Sequence, residues 1–355
     1  MNYTHFIREI ARGSESARDM SLEEAQQLYG AMLDGGVPDL ELGAIAIALR
    51  VKGETINEMI GFLGAANERL YPLRRPQGRL RPIVIPTYNG ARKAANLTPL
   101  LALLLRRFGV PVVVHGQIEG FGRVTTAQIF REFGLMPSTS RLQAQETLDN
   151  GGLVYVPLTI ISPGLNNQLA LRSRLGLRNS AHSLVKMLDP FKGEGLLLTA
   201  ATHPDYLDTM REVFSALGTH ALLLRGTEGE PFANPKRRPR IEYLHDGAND
   251  ILFEAEHDSL MAERLLPRLP VYEILHTLRL YQDWRGEFTE RIETAFPAGH
   301  SAFVALREDN DAMLRFLPLF QQELLRRHGL NVADLSKMAC SSPTCCPPCA
   351  PTWPS

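Results

Sequence analysis

The residues of this chain whose types and spacing could do chemistry are its basic runs. Lys236, Arg237, Arg238 and Arg240 form a Pro-broken basic loop between two expected strands. Arg92 and Lys93 follow a short β-branched run and its turn, and Arg74, Arg75, Arg79 and Arg81 crowd a Pro/Gly linker. Arg172, Arg174 and Arg178 lie on a stretch that reads as helix, where Arg174 and Arg178 share a face and Arg172 does not. Guanidinium and ammonium groups hold oxyanions, and their contacts to phosphates supply most sequence-independent nucleic-acid affinity. Tyr88 and Phe121, if exposed, would stack on bases. Taken singly, each basic residue is equally an ordinary solubility charge.

Other chemistries find less support. The ten histidines show no H-x3-H or HExxH spacing, so no metal is expected. GQIEGFG, Gly116 to Gly122, lacks the spacing of a dinucleotide fingerprint, and no cofactor is expected. There is no Ser-His-Asp elbow. Asp246, Asp250 and Asp258 could hold a cation but read as a solvated acidic face. All four cysteines, Cys340, Cys345, Cys346 and Cys349, fall in a Pro-rich tail over 336–355 that carries no charge after Lys337. That tail is read as disordered rather than as a metal site, and no disulfide framework is expected in the body.

Net charge is -1, but it is segregated. Residues 1–71 carry six Lys/Arg against eleven Asp/Glu, 72–131 carry ten against one, and 241–263 carry seven acids with no Lys or Arg. A polyanion-binding protein with acidic supporting surfaces has this pattern. With 44% apolar and 22% charged residues in 355, the composition excludes collagen, a disordered chain and a membrane bundle. The longest clean apolar run, Leu100 to Leu105, is far too short to span a bilayer. The N-terminus has no apolar core of signal-peptide length. The expectation is a folded cytoplasmic protein with no membrane partner.

The elements that must position the basic residues change character near Pro72. Before it, short helices follow one another. Ser21 with Glu24 makes a capping box, Asp39 is expected to cap the next helix, and Thr55 the one after. Beyond the linker, RPIVIPTYNG, VPVVVHG, LVYVPLTII, LLLTA, HALLLRG and RIEYL read as strands. Helices Leu97 to Phe108, Thr125 to Phe133 and Pro204 to Leu217 alternate with them. The fold class is α/β: a small N-terminal helical domain plus a larger α/β domain with a mostly parallel central sheet flanked by helices. The boundaries are 1–72 for the helical unit, completed by about 168–190, with 78–165 and 193–335 forming the α/β domain.

The stretch MSLEEAQQLYGAMLDGGVPDLELGAIAIALRVKGETINEMIGF resembles the N-terminal helical domain of anthranilate phosphoribosyltransferase and of the nucleoside phosphorylases, glycosyltransferase family 3. AIALRVKGET is its most specific part. RSRLGLRNSAHSLVKMLDPF resembles the family's LGxRTxxNxLGPLxNP helix. The resemblance runs over about 1–330. It implies a two-domain fold holding a phosphorylated ribose between the domains.

The family's catalytic motifs are eroded here. The GTGGD pyrophosphate loop reads PTYNG, Pro86 to Gly90, with its three glycines replaced and Asn89 and Gly90 at its end. N-x-S-T reads NLTP, with Asn96 kept and the hydroxyl pair replaced by Thr98 and Pro99. KHGN reads VHGQ, leaving His115, Gly116 and Gln117 but putting Val114 where a lysine would meet phosphate. The magnesium-binding DE pair has become Glu230 followed by Pro231, close to the KRRPR loop. Phosphoribosyl transfer by the family mechanism is therefore expected to be absent, leaving no catalytic residue to assign. Asn89, Gly90, Asn96, His115, Gly116 and Gln117 are remnants of the cleft.

The chain looks like the branch of this family that binds DNA and RNA without sequence preference, as homodimers. That resemblance implies a nucleic-acid partner, single-stranded DNA or RNA favoured and duplex possible. The sites are Lys236, Arg237, Arg238, Arg240, Arg92, Lys93, Arg172, Arg174 and Arg178. The dimer would form through the acidic helical domain, whose Ile45, Ile47, Leu49, Val51, Ile56, Met59, Ile60, Phe62 and Leu63 are too many to bury within so small a unit. The alternative is an active glycosyl or phosphoribosyl transferase with altered substrate and mechanism.

Overall fold

The structure, a computed structural model, describes residues 2–255 apart from 14–15, 79, 93–95, 108, 121 and 234–238. Arg79, Lys93, Phe121, Lys236, Arg237, Arg238, Asp258, the four cysteines, the 256–335 part of the expected α/β domain and the 336–355 tail lie outside the described residues.

Four helices open the chain: α1 (Tyr3–Ile10), α2 (Leu22–Leu33), α3 (Asp39–Lys52) and α4 (Ile56–Glu68). Two begin with the capping boxes legible in the sequence. Ser21 Oγ accepts from Glu24 N at 3.1 Å while Glu24 returns the contact to Ser21 N at 2.9 Å. Thr55 and Glu58 do the same at 3.3 and 2.8 Å. Each box satisfies two backbone donors that a helix start leaves without partners. Asp39 corrects the expected pattern. The N-cap of α3 is Pro38, no side chain caps it, and Asp39 sits in the first turn with its carboxylate on Arg174.

α2 and α4 approach so closely that a Cβ on Gly61 would lie 2.5 Å from the Leu22 carbonyl oxygen. Ile45, Leu49, Met59, Phe62 and Leu63 are buried. Val51, by contrast, is 63% exposed and Leu40 82%. Eleven positions apart on α3, they fall on one face.

The sheet has seven strands in the order β3-β2-β1-β4-β5-β6-β7. They are β1 (Ile83–Thr87), β2 (Val112–Gly116), β3 (Leu153–Pro157), β4 (Leu196–Ala201), β5 (Ala221–Arg225), β6 (Ile241–His245) and β7 (Ala248–Phe253). The first five in that spatial order run parallel, with Ile83 against Val112 and Val84 against Leu197. β6 and β7 are antiparallel.

Both faces of the parallel strands are covered, so β-branched and leucine runs replace alternation. Val84, Val113, Val154 and Leu197 share a core with the opening helices. Ile83, Ile85, Val112 and Val114 share one with α5 (Thr98–Arg107) and α6 (Thr126–Glu132). The helical unit thus buries much of its apolar excess against the sheet. No helix among the described residues is long and apolar enough to cross a membrane.

Three readings need correction. LVYVPLTII is not all strand: β3 stops at Pro157, and Leu158–Ile161 is a short helix, α8, following α7 (Arg141–Asp149). Proline ends the ladder because it has no N–H to give. The stretch around 168–190 is not one helix. It breaks into α9 (Pro163–Ala170), α10 (Arg172–Leu175) and α11 (Ala181–Leu184), with Gly176 left-handed at φ +71°. The acidic 241–255 stretch is not simply a solvated face. Asp246 (φ +48°) and Gly247 (φ +81°) make the turn of the β6–β7 hairpin. Glu242 is buried against Arg211, 2.7 Å away on α12 (Pro204–Leu217).

Candidate anion-binding cleft

The chain leaves β1 for β2 on one side, yet β4 returns on the other. Loops at the carboxyl ends of two such strands diverge and leave a crevice between them. PTYNG leaves β1 at this point, and the loop carrying Glu230 leaves β5, one strand beyond β4.

Glu230 is completely buried, and its carboxylate sits inside the PTYNG turn. Oε1 accepts from the backbone N–H groups of Asn89 at 2.9 Å and Gly90 at 2.7 Å. Oε2 accepts from the hydroxyls of Thr87 at 2.5 Å and Thr98 at 3.2 Å. Gly90 has φ +62°, which aims consecutive N–H groups into one concavity, a backbone anion nest. Asn96, also buried, donates from Nδ2 to Thr126 Oγ1 at 3.2 Å, and Thr126 Oγ1 lies 2.8 Å from Thr87 Oγ1. Because Thr87 gives its proton to Glu230, Thr126 gives its own to Thr87. The chain of donors therefore points at the carboxylate.

Around this centre lies a ring of cations. Lys186 donates to the carbonyls of Ala200 at 2.8 Å and Gly229 at 3.0 Å. Burial pulls its ammonium down to about 8, with Arg178 acting the same way and Glu230 opposing. Arg178, exposed at its outer edge, donates to Asn89 Oδ1 at 2.9 Å. Its pKa is lowered first by burial, then by the like charges of Arg172, Arg123 and Arg50, with Tyr206 opposing. Arg123 reaches the Gly90 carbonyl and Glu228, each at 3.2 Å. Arg50 bonds Tyr206. His182 is pushed down to about 3, first by burial and then by Arg178, with Arg172 and Lys186 adding to it. It is neutral because it is buried, and the positive field around it adds to that effect.

The residues expected from sequence divide accordingly. Arg172 and Arg178 come together here. Arg178 lies beyond the helix break, so it shares no helical face with Arg174, contrary to the expected pairing. Arg174 instead pairs with Asp39 at 2.9 Å on an exposed surface. Arg92 offers its backbone N–H to Glu228 at 3.2 Å. Arg240 immediately precedes the antiparallel β6, opposite the exit of β5 and at the same end of the sheet, with its guanidinium 3.1 Å from Glu254.

His115 is buried on β2, pushed down to about 3 by desolvation, with its Nδ1 2.7 Å from the Tyr88 hydroxyl. Tyr88 is thereby turned to a structural contact rather than an open stacking surface. Gly116 has no room for a Cβ, which would fall 2.0 Å from the Thr87 carbonyl oxygen. The Gln117 carbonyl accepts from Tyr155 at 2.8 Å.

Arg50, Arg123 and Lys186 were not singled out in the sequence. Arg50 lies inside AIALRVKGET, Lys186 inside LVKMLD, and Arg123 in the 72–131 basic segment. Each had a signal only as part of a larger pattern.

A magnesium site of the kind the fold family implies does not fit these residues. It would need hard carboxylate oxygens facing the cleft. Both oxygens of Glu230 are already engaged by four protein donors. Among the described residues no group of three or more His, Cys, Asp or Glu is placed to hold a metal ion.

Comparison with known proteins places this geometry among relatives. The helical bundle domain of the glycosyl transferase family matches residues 4–69. The chain is 47% identical over 269 residues to the Escherichia coli (strain K12) protein YbiB, covering 76% of this chain and 83% of that protein. It is 26% identical over 208 residues to the anthranilate phosphoribosyltransferase of Sphingopyxis alaskensis, covering 58% of this chain and 62% of the enzyme. Among solved structures, anthranilate phosphoribosyltransferase from Thermus thermophilus superposes with a TM-score of 0.57 at 19% identity, covering 91% of this chain and 99% of that one. The Saccharomyces cerevisiae enzyme in complex with PRPP and Mg gives 0.53 at 12% identity, covering 91% and 97%. These structural likenesses establish the fold.

Proposed function

Because the chain belongs to the glycosyltransferase family 3 superfamily, together with Escherichia coli YbiB, we propose that it uses that scaffold to bind nucleic acid without sequence preference. The observation that carries this reading is the like-charge cluster of Arg178, Arg172, Arg123 and Arg50. The like charges of Arg172, Arg123 and Arg50 disfavour the charged form of Arg178 in the absence of a ligand. Such a cluster is a poor structural device and a good receptor for a polyanion, whose phosphates relieve the repulsion and release counterions on binding. Arg240 stands at the same end of the sheet, and Lys236, Arg237 and Arg238 closely precede it in the sequence, so a strand reaching Arg240 would meet further basic residues. Single-stranded DNA or RNA fits better than duplex, since a cleft between domains admits one backbone more easily than two.

The reading includes a homodimer formed through the acidic helical unit, for which exposed Leu40 and Val51 on one face of α3 are the support. It also places the protein in the cytoplasm. The test is an anisotropy titration with single- and double-stranded DNA and RNA of mixed sequence at 50 and 200 mM salt. The expected result is binding of all sequences alike, weakening steeply with salt. No binding at 50 mM salt refutes it.

A further inference from the structure

The cradle at the end of β1 is built for an oxyanion, and the oxyanion in it belongs to the protein. Two consecutive backbone N–H groups, from Asn89 and Gly90, and two hydroxyls, from Thr87 and Thr98, converge on Glu230. A third hydroxyl, from Thr126, and the Asn96 amide are oriented behind them. Uncharged donors arranged around a concavity select an anion by size and geometry. None of the direct donors is a charged side chain, so this is not an ordinary ion pair. Lys186, a cation whose charge Glu230 favours, bonds to carbonyls of Ala200 and Gly229 instead.

The occupant arrives from far along the chain. Glu230 lies 141 residues beyond Asn89. The Glu230 loop is held by several contacts of its own. Asn89 Nδ2 donates to the Gly229 carbonyl at 2.7 Å, and Lys186 grips the same carbonyl. Gly229, at φ +87°, lies so close to Asn89 that a Cβ there would be 2.2 Å from Nδ2. This local architecture places one carboxylate at one point.

We infer that Glu230 is an internal stand-in for a bound oxyanion: its carboxylate fills the cradle made by Thr87, Asn89, Gly90 and Thr98 and closes it to free phosphate and pyrophosphate. The cradle keeps its ability to recognise a small oxyanion, and the chain supplies that anion permanently. Anionic ligands are then read by the arginines around the filled cradle rather than in it.

Removing the internal carboxylate opens the site to an external one of the same size. The probe is sodium formate, with sodium chloride at equal ionic strength as the control, read by thermal melting of the full chain. Wild type should show no melting shift with formate beyond the chloride control. Glu230→Ala should melt lower than wild type and regain about 2–4 °C in formate at roughly ten times its Kd. Glu230→Gln keeps the size but turns an NH2 group toward the donors, so it should melt lower than wild type too and gain less from formate than Glu230→Ala. Should Glu230→Ala fail to fold, its refolding yield in formate against chloride is the readout, and formate-dependent recovery is expected. The inference is overturned by formate giving Glu230→Ala no advantage over chloride in melting or refolding. It is equally overturned by a Glu230→Gln protein as stable as wild type, or by formate stabilising wild type beyond chloride. No nucleic acid enters the test, so its outcome is independent of the titration above.

Discussion

Replacing Arg172 and Arg178 together with alanine separates binding from folding. Arg172 is the first of the like charges that act on Arg178. Arg178 donates to a neutral amide oxygen, Asn89 Oδ1 at 2.9 Å. Losing that bond costs about 1 kcal/mol, Arg172 gives up an interaction of its own, and relief of the repulsion on Arg178 offsets part of the total, so stability should fall by no more than about 2 kcal/mol.

Binding should respond differently. A partly exposed charged contact to phosphate contributes on the order of 1 kcal/mol, so two of them give roughly a 30-fold loss of affinity. Each single-stranded phosphate contact also adds about 0.7 to the salt slope, so the variant should lose about 1.4 of it. Between 50 and 200 mM salt the ratio of wild-type to variant affinity should then shrink roughly sevenfold. Anisotropy with a labelled oligothymidine at four salt concentrations measures both quantities. Arg174→Ala is the comparison: already paired with Asp39, Arg174 should cost less than about twofold. Parallel salt slopes for wild type and the double variant would refute the assignment of these arginines to phosphates, as would unchanged affinity.

Replacing Lys236, Arg237, Arg238 and Arg240 with alanine should weaken binding across all sequences and flatten the salt slope further, and equal slopes in a titration would contradict that role. Purified protein should show no magnesium-dependent turnover of phosphoribosyl pyrophosphate with anthranilate, and turnover lost on mutation of Asn96 would promote the transferase alternative. Sedimentation at micromolar concentration should give a dimer, and affinity should climb with oligonucleotide length as one strand reaches two clefts; a monomeric mass or length-independent affinity would each count against this. His182 is held near 3 in the fold against an ordinary 6.5. The unfolded chain therefore binds more protons between those values, and this contribution to stability is lost as pH falls from 6.5 toward 3. His182→Gln should flatten that part of the melting-temperature profile, and an unchanged profile would contradict the buried neutral imidazole.

Local structure was written in the sequence wherever its cause is local. The Ser21–Glu24 and Thr55–Glu58 capping boxes span three residues each and need nothing beyond them, so both helix starts were legible. The β-branched and leucine runs of the parallel strands were legible because burial on both faces demands them wherever the strands sit. Charge segregation and the altered PTYNG, NLTP and VHGQ motifs were equally a matter of counting and spacing. Helix breaks and ladder ends were less so. Gly176 could end a helix or sit inside one, and Pro157 ends β3 because a neighbouring strand would otherwise need its missing N–H.

What only the tertiary structure decided is which distant groups meet. Nothing in the chain near Glu230 says that its carboxylate fills a turn 140 residues earlier. That follows from β4 returning beside β1 and carrying the β5 loop across the sheet's end. The same crossing turned Arg174 outward to Asp39 and gathered Arg50, Arg123 and Arg178, one from a helix and two from loops, into one field. Caps and strand patterns depend on backbone periodicity over a few residues, whereas the cleft depends on strand order, which is set by how the whole apolar surface is buried.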